Sequence, residues 1–85
     1  MTEEQEILKR KLYWRCRRGM LEVDELLLAF MDRGYDALNQ HEHESFVRLL
    51  EDNDNELLEY LMGRTVPKDG DTAHVVNKIR AATQA

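Results

Sequence analysis

VDELLLAFMDRG, residues 23–34, decides the fold class. Val23, Leu26, Leu27, Phe30 and Met31 fall at i, i+3, i+4, i+7 and i+8, the spacing that lines one face of a helix of 3.6 residues per turn. Such a stripe predicts a core-facing helix, and Gly34 is placed to stop it. Full burial of those side chains contributes about 1.5–3 kcal/mol each, as an upper estimate.

Working outward, the same logic repeats. After GYDAL (34–38), Asn39 with Glu42 three residues on has the form of a capping box and opens a helix carrying Phe46, Val47, Leu49 and Leu50. Asn53 with Glu56 opens a further helix with Leu57, Leu58, Leu61 and Met62 inside, ended by Gly63. Pro67 and Asp69-Gly70 mark a break, after which Asp71 caps a last helix with Val75, Val76 and Ile79 inside and a small polar tail, 81–85, behind it. On the other side of the stripe, Thr2 is the expected cap of a first helix. Glu3, Glu4 and Glu6 sit at its positive end, Arg17 and Arg18 at its negative end, and Gly19 stops it. The inner face of this helix is expected from Ile7, Leu8, Leu12 and Trp14 or Cys16. No strand-like alternation interrupts the pattern, so the expectation is an all-α bundle of about five short helices forming one domain over 1–85.

Composition narrows the function. With 42% hydrophobic residues in 85, the chain is rich enough to fold on its own and too short for a second core. The start, MTEEQE, is acidic where a targeting peptide is basic, and no apolar run reaches the ~18 residues of a membrane span. The single Cys16 suits a reducing compartment, so cytoplasm is expected. Charge is uneven at a net -5: KRKLYWRCRR (9–18) holds six of the 12 Lys and Arg and no acid. Residues 19–64 are acidic apart from Arg33, Arg48 and Arg64.

The residues offer little catalytic chemistry. Cys16 has no organised base partner, and His41 and His43 are two apart, so on a helix they diverge rather than converge on a metal. EDNDNE (51–56) places Leu57 where a calcium loop needs glycine, so these residues read as helix caps. There is no phosphate-binding glycine motif. KRKLYWRCRR remains, with Tyr13 and Trp14 between cations. It is read as a solvated helix face, an anchor for a protein partner, or a small nucleic-acid surface; the acidic remainder of the molecule disfavours a broad nucleic-acid surface.

The segment WRCRRGMLE (14–22) carries the motif Arg-Gly-x-x-Glu at Arg18, Gly19 and Glu22, followed by Asp24. In order with GYDAL (34–38), FVRLLE (46–51) and ELLEYLMG (56–63), it resembles the small FAD assembly factors of succinate dehydrogenase over roughly residues 9–80. The resemblance implies an all-α protein with no catalytic residues and no cofactor or metal of its own. Its expected partner is the flavoprotein subunit of succinate dehydrogenase, or of fumarate reductase, which receives covalent FAD on one of its own histidines. The implied partner surface is Arg18, Gly19 and Glu22, with Lys11, Trp14, Met20 and Tyr35 as neighbours. The residues themselves make that transfer sensible: glycine permits close backbone approach, Arg18 has a planar donor fork and Glu22 an acceptor. They equally allow Gly19 to act only as a helix stop and Glu22 only as a favourable charge in a first helical turn. A small nucleic-acid module using 9–18, or a generic protein adaptor, stays as the alternative.

Overall fold

The computed structural model describes residues 2–83 and is all-α, with no strand among those residues. Five α-helices follow in order: α1 (Glu3–Arg15), α2 (Leu21–Arg33), α3 (Gln40–Leu49), α4 (Asp54–Leu61) and α5 (Gly70–Thr83), with a 3-10 turn (Tyr35–Ala37) between α2 and α3. The stripe on α2 is the centre of the core: Val23, Leu27, Phe30 and Met31 are buried, and Leu26 is packed at its margin. Helices α4 and α5 pack against α2, and α3 packs against α5, bringing Phe46, Leu49, Leu57, Leu61, Val75, Val76 and Ile79 to the same cluster.

Helix α1 departs from the expected pattern. Its only buried residue is Leu12, with Cys16 buried just beyond its end, while Ile7, Leu8, Tyr13 and Trp14 are exposed. The apolar positions of α1 lie around the helix rather than along one face, so no single rotation buries them together. Lys9 ties α1 to the 3-10 turn through both carboxylate oxygens of Asp36, at 3.1 Å each.

Several ends also differ from expectation. Thr2 caps α1 in a full capping box with Gln5, but α1 ends at Arg15, so Gly19 lies in the connector rather than at the helix stop. Asn39 and Glu42 form both bonds of their box, whereas at α4 only the Asn53 side chain takes its amide, from Glu56. Asp69, not Asp71, caps α5, accepting from the amide and hydroxyl of Thr72. Helix α5 runs on to Thr83 through the stretch expected to be a tail, with Ala82 packed on the core; residues 84–85 lie outside the described residues. Met62, expected inside, is exposed.

The glycines follow local geometry. Gly34 has an ordinary φ of -129°, and its hydrogen is needed because a Cβ would meet the Phe30 ring at 2.6 Å. Gly63 is left-handed at φ +76°, and the amides of Gly63 and Arg64 return to the carbonyls of Tyr60 and Glu59 at 3.1 and 2.9 Å, a Schellman ending.

Glu42 links α3 to α5. Its buried carboxylate meets Lys78 Nζ at 2.6 Å and His74 Nε2 at 2.7 Å, and accepts the Asn39 amide. The Lys78 ammonium first, then that amide and His74, hold its pKa at about 2 against an ordinary 4.5. The folded form therefore favours the ionised group more than the unfolded chain does. Its contribution to stability is complete above pH 4.5 and is lost as pH falls toward 2. In urea melts across that window, the Glu42→Gln variant should start weaker at pH 7 and lose less stability on acidification than the native chain. Equal acid sensitivity of the two would show that Glu42 is not an important acid-labile link.

Candidate functional site

Residues 16–20 turn the chain from α1 into α2, and the Arg-Gly-x-x-Glu motif occupies this connector and the first turn of α2. Beyond a helix end, amides need acceptors other than the next turn's carbonyls. Asp24, in the opening turns of α2, reaches back to supply two: Oδ1 accepts the Arg18 amide at 2.7 Å and Oδ2 the Gly19 amide at 3.3 Å. Gly19 itself is left-handed, at φ +87°.

The Arg18 guanidinium faces into the protein. Nε donates to Asp54 Oδ1 at 2.5 Å, Nη1 to the Leu50 carbonyl at 2.7 Å and Nη2 to the Asp52 carbonyl at 2.7 Å. Leu50 is the C-cap of α3 and Asp54 the first residue of α4, so the cation sits at the negative end of one helix and pairs with an acid at the positive end of the next. The side chain is 17% exposed. Its donor fork is thus occupied internally, by partners 32–36 residues away and, at 3.5 Å, by the nearby Arg15 carbonyl.

The surface around this buried anchor is open. Glu22 is exposed, and among the described residues it makes no side-chain hydrogen bond or ion pair. Leu21 beside it is 72% exposed and Trp14, near the end of α1, is 62% exposed. The Arg17 guanidinium lies 5.7 Å from the Trp14 ring centroid and Tyr13 meets the same ring edge-on at 6.2 Å, so a cation and a second ring flank the exposed indole. Above Gly19 the space is open: apart from Arg18 and Met20, its chain neighbours, no residue comes within 4 Å of where a Cβ would stand. Lys11 is exposed and Met20 is half-buried, packed on the core.

Tyr35 occupies a different place from these residues. It is buried against Phe46, with its hydroxyl 2.7 Å from His43 Nε2 and Lys9 over its ring. The other two histidines lie at the surface, each with a partner: His41 pairs with Asp71, which raises its pKa through their hydrogen bond, and His74 with Glu42. Cys16 is fully buried, and burial pushes its thiol up to about 12 even though Arg18 and Arg15 pull the other way. A thiol in that state is not a nucleophile at neutral pH. No cluster suited to a metal ion occurs among the described residues, and none of their helices is long and apolar enough to cross a membrane. Asp24, noted after the motif without a role, and Asp54, read only within a run of helix caps, are the residues whose part in the site the sequence did not show. Asp24 could have been found as the first aspartate after the glycine turn, whereas nothing in the local sequence joins Asp54 to Arg18.

The fold and the connector define a small helical scaffold that presents an exposed polar and aromatic surface. The chain belongs to the family described as the flavinator of succinate dehydrogenase, whose model matches residues 10–83. Among similar proteins are the FAD assembly factors SdhE of three bacteria. That of Pectobacterium atrosepticum is 39% identical over 72 residues, covering 85% of this chain and 82% of the relative. That of Vibrio parahaemolyticus is 41% identical over 73 residues (86% and 85%), and that of Yersinia pseudotuberculosis 36% over 77 (91% and 88%).

Gly19 offers a direct check on how the site is built. Because its surroundings are open, replacement strains only the backbone, by about 1–2 kcal/mol for a left-handed L-residue. Gly19→Ala and Gly19→Arg should therefore lower stability by similar amounts in chemical denaturation, both remaining folded. A much larger loss for arginine would mean that the connector is enclosed.

Proposed function

We propose that this protein is an assembly factor that binds the flavoprotein subunit of succinate dehydrogenase, or of fumarate reductase, and promotes covalent attachment of FAD to it. The observation that carries this reading is the exposed, formed surface of Trp14, Gly19, Leu21 and Glu22 on a chain of the flavinator family. The flavin and the histidine that receives it both belong to the client. What the factor contributes is geometry: holding client segments where the reacting groups meet removes much of the entropic part of the barrier without any group being supplied. In this reading the factor is not an enzyme, has no cofactor of its own and acts in the cytoplasm.

Within the partner surface, Glu22 is the polar contact and Trp14 and Leu21 the apolar anchors, because these side chains are available. Gly19 allows a client backbone to come close. Lys11, Arg15 and Arg17 surround the anchors with positive charge and suit an acidic rim on the client. The alternative of a nucleic-acid module is not favoured. Of the cations in 9–18, Lys9 is paired with Asp36 and Arg18 with Asp54, which breaks the stripe as a track for phosphates.

Co-expression with a flavoprotein subunit in a host lacking its own factor tests the proposal through in-gel flavin fluorescence. Covalent flavin should rise with the native factor and fall back with Glu22→Ala, whose helical content and melting should be unchanged. No gain from the native factor would contradict the reading.

A further inference from the structure

We infer that Asp24 and Asp54 are positioning residues of the partner surface, and that Arg18 acts with them by shaping the connector rather than by touching the client. The inference rests on the assembly-factor reading and specifies how its surface is built.

A five-residue connector containing a left-handed glycine has many accessible shapes unless its polar groups are held. Here it is held from two directions. The Asp24 carboxylate takes the successive amides of Arg18 and Gly19, which sets the peptide plane between them. The Arg18 side chain reaches the other way and places one donor from each guanidinium nitrogen on the link between α3 and α4, at Asp54, Leu50 and Asp52. One residue is therefore anchored by its backbone to the helix that follows and by its side chain to a distant link. Gly19, Leu21 and Glu22 leave that anchor within one turn of chain, so their presentation follows from it.

Two consequences separate this role from direct contact. A surface ordered before the client arrives does not have to be ordered on binding, so loosening it weakens affinity even where no contact is removed. In addition, the three acceptors of Arg18 diverge from a planar fork, a geometry that an ammonium on a flexible stem does not reproduce. Lysine at 18 keeps the charge that a client carboxylate would feel but loses the anchor.

The test measures three quantities on each variant: affinity for the purified flavoprotein subunit, rate of covalent flavin incorporation and melting temperature. Arg18→Lys and Asp54→Ala should each weaken affinity about tenfold, and the double variant should stay near tenfold because both changes break one anchor. Asp24→Ala should weaken affinity in the same direction. Ile79→Val, which thins the core on α5, serves as a stability control and should keep native affinity at a comparable loss of melting temperature. Native affinity in the anchor variants would overturn the inference, as would a multiplicative loss of about 100-fold in the double variant, the sign of independent client contacts. Equal weakening by Ile79→Val would also overturn it. A native factor that neither binds nor flavinylates the subunit overturns the assembly reading itself. Loss with Glu22→Ala alone, the anchor variants binding normally, leaves that reading standing and removes only the positioning role.

Discussion

The guanidinium of Arg18, donating to Asp54 and to the carbonyls of Leu50 and Asp52, joins parts of the chain that would otherwise meet only through the core. It answers two local problems at once. The carbonyls of Leu50, the C-cap of α3, and of Asp52 in the link after it each take a donor from the cation, which also suits the negative end of α3. The connector from α1 lacks a partner of its own, since α1 buries little beyond Leu12, and the same cation fastens it to the body. Cys16, packed two residues earlier, supplies the apolar half of that fastening.

The helical body is made rigid by means independent of this anchor. Apolar burial on α2 sets the centre, and Glu42 bridges α3 to α5 through Lys78 and His74. Gly63 turns the chain out of α4 where the Arg80 guanidinium occupies the space a side chain would need. Separating body from connector matters for function. A partner surface can be varied at Trp14, Leu21 or Glu22 with little cost to folding, because those side chains are exposed and the core does not depend on them.

Most of the fold was legible because it is written in short-range patterns. The stripe from Val23 to Met31 and the caps at Thr2, Asn39 and Asn53 are decided by neighbours within one or two turns. Where the signal was local but ambiguous, the reading slipped: Asp69 and Asp71 both suit a cap, and only the amide geometry of Thr72 selects Asp69. At the site, the motif marked the stretch that forms the connector but not the direction each side chain faces. Arg18 looks like a free donor when read beside Gly19, because its short hydrogen bonds go to acceptors more than thirty residues away, two of them backbone carbonyls, which no sequence pattern marks. Tyr35 looks like a surface aromatic for the same reason, its neighbours Phe46 and His43 arriving from the next helix. Of the two candidates for the inner face of α1, Trp14 or Cys16, the structure buries Cys16, and Trp14 lies on a side of α1 that no other part of the body covers.

The claim on which this account turns is that the connector is formed before any client binds. Residue-resolved amide hydrogen exchange on the free protein examines it directly. The Arg18 and Gly19 amides, both donated to Asp24, should exchange far more slowly than amides in an unstructured chain, and should lose that protection in Asp24→Ala. Exchange at unstructured rates in the native chain would contradict the account, because the surface would then be shaped by the partner.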